Sequence, residues 1–343
     1  MKALVLEKYN ALIYKDVPDP EISDHEVLIQ VKACGICGSD VHGLDGSTGR
    51  RVPPLIMGHE ASGVIAKTGN SVSGWNIGDR VTFDSTVYPL NDWYTLEGLY
   101  NLSDNREVLG VSPGNYRRNG AFAEYVAVPQ HILYQLPDNV TFEQAALVEP
   151  IAVALHAVNL SGVRIGENCV IVGAGTIGVF IIQLLRIAGA NQLIAVDVNR
   201  KNLEVAGKKG ANYWFHPDED NVLAHIMAIT NNRGADLAFE AVGKSATVNM
   251  AVDSLRKGGR AVLVGNLDSS IEFPLQKIVT RELQLSGSCA IRGEYAVVLE
   301  LLKNKKINVD DQISIVAPLA EGAKWFNRLR ENTEGLKKVL LIP

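Results

Sequence analysis

Seven consecutive residues, Val172-Gly173-Ala174-Gly175-Thr176-Ile177-Gly178, restrict the fold of this chain more tightly than any other stretch. They follow directly on Cys169-Val170-Ile171-Val172, a short continuously apolar run of the kind a parallel strand shows when both its faces are buried. Ile181, Leu184, Leu185 and Ala188 then recur at helical spacing. A buried strand, a glycine turn and a helix in this order form the dinucleotide fingerprint. Gly173 serves the tight turn, Gly175 lets a pyrophosphate approach the backbone, and Gly178 lets helix and strand pack closely. Thr176 and Ile177 open the helix, whose first N–H groups and positive dipole end suit phosphate. Asp197 lies 19 residues past Gly178, at the end of the next apolar run. A carboxylate there accepts bonds from the adenosine ribose hydroxyls and repels a 2′-phosphate, so NAD is expected over NADP, with Arg200 nearby weakening that preference.

The theme repeats downstream. Gln192-Leu193-Ile194-Ala195-Val196 reads as a strand, Leu203 to Lys209 as a helix, Ala235 to Glu240 as a strand, Ala246 to Leu255 as a helix and Ala261 to Val264 as a strand. Strands alternating with helices predict a doubly wound α/β Rossmann domain over residues 153–288. Residues 1–152 are different in kind: strand-rich segments such as Val27 to Ala33 nearly alternate, and Gly58, Gly63, Gly69, Gly74 and Gly78 punctuate turns. A length of 343 residues is itself too great for one ordinary core. Residues 289–343 carry one helix, Tyr295 to Lys303, and a closing strand, Lys338 to Ile342, and are expected to return to the first domain.

Three short clusters stand out in the first part: Cys34-Gly35-Ile36-Cys37-Gly38-Ser39-Asp40-Val41-His42, then Gly58-His59-Glu60, then Val148-Glu149-Pro150. A Cys37 thiolate, a His59 imidazole and a Glu60 carboxylate are ligand types that zinc accepts, and three protein ligands with one open position make a catalytic site. One thiolate and one carboxylate together cancel the double charge of the metal. These clusters, with the later glycines, resemble the zinc-containing medium-chain dehydrogenases, and among them the sorbitol (polyol) branch. The resemblance covers essentially the whole chain. It implies a mainly β, GroES-like catalytic domain, made discontinuous by the inserted Rossmann domain.

Residue by residue, the resemblance implies zinc ligands at Cys37, His59 and Glu60. Glu149 stands where related alcohol dehydrogenases often carry a second cysteine, and is implied beside the metal, ligating it directly or through water. Ser39 matches the hydroxyl that bonds the substrate oxygen, and His42 the histidine ending a proton relay through the nicotinamide ribose. The implied activity is hydride transfer from a secondary alcohol, a polyol or sugar alcohol, to NAD, in a homodimer or homotetramer. Cys34 is read as packing, and Asp40 as support for a turn or helix start.

Two departures matter. No cysteine lies between Cys37 and Cys169, so the four-cysteine structural zinc common in the family has no ligands here, and one catalytic ion is expected. The stretch Phe83 to Arg118 must be held by other packing, for which Trp93, Tyr94, Leu99 and Tyr100 are candidates. The segment Gly287 to Tyr295 also replaces the arginine-bearing segment of animal sorbitol dehydrogenases, with Arg292 shifted, which leaves the polyol open.

Other readings are bounded by composition. A net charge of −5 with scattered Lys and Arg lacks the basic stripe of a nucleic-acid binder. No apolar run reaches membrane-spanning length, and the first residues lack a secretory pattern. Four unevenly spaced cysteines make no disulfide framework, so a reducing, cytoplasmic setting is expected. A zinc-free quinone reductase should lack Cys37, His59 and Glu60 together. A simple secondary alcohol or diol, threonine or a sugar phosphate stay open as substrates, as does a non-enzymatic protein on the same fold.

Overall fold

A computed structural model of the protein describes residues 1–112, 117–331 and 335–343. The chain divides into two units, one formed by Met1–Glu149 with Ile291–Pro343 and the other by Pro150–Ala290. The first boundary falls in the opening turn of the helix Val148–Ser161.

In the first unit the strand Glu26–Gly35 organises a seven-stranded sheet. Val27, Ile29, Val31 and Ala33 alternate into the core, where they meet Phe83, Phe122, Ile65 and Phe326 among others. Along one edge this strand pairs antiparallel with Glu60–Thr68, so that Gly35 faces Glu60. Along the other it pairs first with Tyr125–Pro129 and then, at Cys34 and Gly35, with the closing strand Lys338–Ile342. The register therefore brings residues about 280 positions apart in sequence to the same end of one strand: Gly35 is opposite both Glu60 and Leu340. A smaller sheet of Ala11–Asp16, Lys2–Lys8 and Leu55–Ile56 lies in the same unit.

Within the described part of the stretch 83–118 (residues 113–116 lie outside it), polar staples do more than aromatic packing. Asp92 accepts from the Thr95 backbone N–H at 2.7 Å and also takes the Ser103 hydroxyl. The Tyr100 hydroxyl donates to Asp84 at 2.7 Å while its ring stacks on Tyr88 at 4.0 Å. Trp93, expected to help hold this stretch, is 64% exposed and touches mainly the ring of Tyr94. A helix of only four residues, Trp93–Leu96, has no buried face to turn inward.

The second unit has the predicted α/β architecture. Its six parallel strands run in the order Tyr213–Phe215, Leu193–Val196, Cys169–Val172, Ala235–Glu240, Leu255–Leu263, Gln284–Gly287. Numbered along the chain, that is 3-2-1-4-5-6, the doubly wound order, whose reversal lies between the first and fourth strands. Every residue of Cys169–Val172 and Leu193–Val196 is buried, as their unbroken apolar sequences demand. Among the described residues no helix is long and apolar enough to cross a membrane.

Candidate functional site

The proposed metal set is delivered by three local devices. Cys37 is the N-cap of the short helix Gly38–Gly43, in extended backbone with φ −82° and ψ 147°. Glu60 begins the strand Glu60–Thr68, and His59 precedes it. Glu149 sits in the first turn of the helix Val148–Ser161. Cys37, His59 and Glu60 each bring one donor atom to a point where all three lie within 4.8 Å of one another. The Ser85 hydroxyl donates to Glu149 at 3.1 Å.

The surroundings bear on whether this donor set suits a divalent cation. Burial, reinforced by the Glu60 carboxylate, pushes the Cys37 thiol up to about 11. Burial also pushes Glu149 up to about 8, with His59 opposing and Glu60 adding to the effect. Groups that resist ionisation side by side are those a divalent ion would ionise together, since its own charge inverts the local balance. The residues present fit zinc: one soft sulfur, one imidazole and carboxylate oxygen at a shared focus.

The supporting residues were less legible. Lys338, only 3% exposed, donates to both oxygens of Glu60 at 2.7 Å and to the Ile36 carbonyl at 3.2 Å. Burial lowers its pKa, but the Glu60 carboxylate with Cys37 and Glu149 together hold the amine above its ordinary value. Each carboxylate oxygen has two acceptor sites, so this pairing leaves Glu60 capacity for a cation. Gly35 makes the arrangement possible, because a Cβ there would stand 2.3 Å from a Glu60 oxygen. Asp40 does support its helix, since its carboxylate accepts from the Cys37 N–H at 3.4 Å, and it does more. Its other oxygen lies 3.6 Å from His59 Nδ1, a buried nitrogen with no hydrogen-bond partner among the described residues. With Nδ1 facing Asp40, the opposite ring nitrogen is left for a metal.

Ser39 is exposed beside this focus and donates to Cys37 Sγ at 3.2 Å. His42, also exposed, follows three residues later, on the same face of the short helix. Arg292, in the segment that departs from the animal enzymes, offers its backbone N–H to Glu294. The neighbouring Gly293 N–H donates to the Tyr100 hydroxyl at 2.7 Å, and burial raises Asp84, the acceptor of that hydroxyl, to about 6. Cys34 is buried and Cys169 lies in a core strand, consistent with packing.

In the second unit the three fingerprint glycines have distinct reasons. Gly173 has φ +95°, and a Cβ on it would meet Val242 at 2.6 Å. A Cβ on Gly178 would stand 1.9 Å from the Gly173 carbonyl oxygen. Both are demanded by the fold. Gly175 is different: a Cβ there would meet nothing within 4 Å, so its smallness leaves open space at the N-cap of Thr176–Ile187. That is where a pyrophosphate needs room. Asp197 caps the neighbouring strand end, accepting from the N–H groups of Ala174 and Asn199, each at 2.7 Å, and from the Asn202 amide at 3.2 Å. Arg200 is paired with Glu219.

Comparison with known proteins agrees with both halves. Residues 23–138 match the alcohol dehydrogenase GroES-like domain, and residues 176–304 the zinc-binding dehydrogenase family. D-xylulose reductase A of Aspergillus oryzae is 33% identical over 98% of this chain and 96% of its own. The structure of galactitol-1-phosphate dehydrogenase from Escherichia coli is similar with a TM-score of 0.92 at 29% identity, covering 100% of each chain. A zinc-binding dehydrogenase from Sinorhizobium meliloti bound to NADP is similar with a TM-score of 0.89 at 30% identity, covering 100% of this chain and 99% of that one. Sequence, fold and convergent donors lead to one placement: the chain belongs to the zinc-containing medium-chain dehydrogenase family, on the side of its polyol dehydrogenases.

Proposed function

We propose that this enzyme oxidises a secondary hydroxyl of a polyol or sugar alcohol, with NAD as hydride acceptor and one zinc ion held by Cys37, His59 and Glu60. The observation that carries the reading is the convergence of three unlike donor atoms within 4.8 Å in a chain of this family. When bound, zinc makes an alcohol proton acidic near neutral pH, and the nicotinamide ring accepts the hydride. The protein's own residues do the rest. Cys37 and His59 would hold the ion together with Glu60, whose carboxylate is also bound by Lys338. Glu149, electrostatically coupled to Cys37, His59 and Glu60, is placed to bond an incoming hydroxyl. Ser39 accepts the proton leaving the substrate and passes it along the exposed face toward His42.

NAD is favoured by charge. The Asp197 carboxylate would repel a 2′-phosphate, and Arg200, the cation that could receive one, is engaged by Glu219. A polyol is favoured by the Glu60 carboxylate at the focus with Glu149 coupled to it, and by the named activities of the relatives, a xylulose reductase and a galactitol-1-phosphate dehydrogenase. Four free cysteines suit a cytoplasmic, reducing setting, and a homodimer or homotetramer completes the reading. The test is appearance of the reduced nicotinamide with xylitol, sorbitol, galactitol 1-phosphate, 2,3-butanediol and threonine, each with NAD and with NADP. The reading predicts the highest kcat/KM for a polyol with NAD. A preference for butanediol or threonine would remove the polyol, and a preference for NADP would remove the cofactor assignment.

A further inference from the structure

Arg51 is 2% exposed, a place where an arginine needs a specific partner, and none of the roles above uses it. One of its nitrogens, Nη2, donates twice: to the Ser39 hydroxyl at 3.0 Å and to Asp40 Oδ1 at 2.7 Å. That same Asp40 oxygen is the atom 3.6 Å from His59 Nδ1, while the Ser39 hydroxyl donates onward to Cys37 Sγ at 3.2 Å. A single buried cation thus reaches the hydroxyl beside the thiol and the carboxylate behind the imidazole.

The surroundings hold the backbone and stem of Arg51 in place. Ser112 pins the backbone on both sides of it, its N–H donating to the Arg50 carbonyl at 2.9 Å and its hydroxyl accepting from the Val52 N–H at 2.7 Å. Gly43 completes the slot, since a Cβ there would stand 2.7 Å from Arg51 Cγ.

We propose that Arg51 is a positioning residue that acts through Ser39 and Asp40, an inference that rests on the metal and alcohol reading above. A hydroxyl has one proton and two lone pairs, and a guanidinium only donates. Arg51 therefore fills one lone pair of Ser39 and turns its proton away from the guanidinium: it points to Cys37 Sγ here and is the proton released toward His42 when a substrate proton is accepted. The second lone pair stays free to accept the proton of a substrate hydroxyl. By the same grip Arg51 balances the buried charge of Asp40 and holds it behind His59.

The test compares Arg51→Met, Arg51→Lys and Gly43→Ala, each alone and combined with Ser39→Ala. The readouts are kcat, KM for NAD, and zinc affinity by chelator competition. Arg51→Met should lower kcat roughly ten- to a hundredfold and weaken zinc by up to about tenfold, with KM for NAD unchanged. Arg51→Lys, which also carries several protons on one nitrogen, should recover much of the loss. Gly43→Ala, which touches no polar group, should fall between them. In the Ser39→Ala background most of the kcat loss from Arg51→Met should vanish, because the partner it acts through is gone. Fully multiplicative kcat losses, or unchanged kcat and zinc affinity in folded Arg51→Met, would overturn the proposal. If Arg51→Met does not fold, the same coupling to Ser39 read with Arg51→Lys and Gly43→Ala decides it. A parent chain that takes up no zinc would overturn the metal reading and this inference together, whereas a zinc-loaded, active parent with uncoupled variants removes Arg51 alone.

Discussion

The two units solve the problem of binding in opposite ways. The dinucleotide unit gathers its proposed phosphate site in seven consecutive residues, and it does so with backbone: a strand end, a glycine turn and a helix N-terminus. The catalytic unit gathers its proposed metal site from positions 37, 59 and 60, backed by 338, and it does so with side chains. A backbone site tolerates almost any side chain that stays out of the way. A side-chain site needs each donor and also the residue that holds each donor, so its failures should be larger and more specific.

The sharpest test of that contrast removes a donor. Cys37→Ala or His59→Ala should lower kcat/KM by on the order of a thousandfold or more, because several kcal/mol of stabilisation leave with the metal. Affinity for NAD, measured by titration, should stay close to wild type, and retained turnover would strike the residue from the site. Lys338→Met comes next. It leaves the carboxylate of Glu60 buried and unpaired, which costs about 3 kcal/mol or more and should appear as a lower Tm in the chelated protein. Zinc should restore part of that loss, since the ion can take over as counter-charge. Equal losses with and without zinc would mean that Glu60 does not serve the metal.

Asp40→Asn removes the charge behind His59 and should weaken zinc binding roughly ten- to a hundredfold, read by chelator competition. On the other side of the comparison, Gly178→Ala and Gly175→Ala should part company. The first places a Cβ 1.9 Å from a carbonyl oxygen and should impair folding of its unit, while the second meets nothing and should fold normally. Gly175→Ala should still weaken NAD by roughly tenfold if a pyrophosphate uses that space. The smallest effect expected is a few-fold to roughly tenfold gain in kcat/KM with NADP for Asp197→Ser, without the repulsion of its carboxylate. An unchanged cofactor ratio would separate Asp197 from the choice.

The same contrast explains what could be read from the letters. The dinucleotide unit was legible because its signal is local: Cys169 to Val172 announces a buried strand, and the glycines announce the turn that follows. Helices such as Tyr295–Lys303 and strands such as Ala235–Glu240 lie where their periodicity places them. Two-residue strands such as Leu55–Ile56 carry no period and were invisible. In the catalytic unit the donors themselves were legible, since Cys37, His59 and Glu60 are chemically distinctive side chains beside glycines. Their supports were not. Lys338 opens an otherwise apolar strand, and only the register Leu340 opposite Gly35 opposite Glu60 tells that its amine turns inward to a carboxylate. Arg51 stands next to the exposed Arg50 in a turn-rich stretch, and nothing in the spacing says which of the two is buried. Trp93 departs from its expected role for a related reason: aromatic identity suggests packing, but a helix of four residues offers it no core to enter.

The central claim is that the focus at Cys37, His59 and Glu60 holds a zinc ion on which alcohol oxidation depends. Elemental analysis and turnover measured on the same series of preparations, from untreated to exhaustively chelated, test it most directly. The account predicts one zinc per chain in the untreated enzyme, with turnover falling in proportion as zinc is withdrawn and returning when it is restored. Undiminished alcohol oxidation by metal-free chains would contradict it.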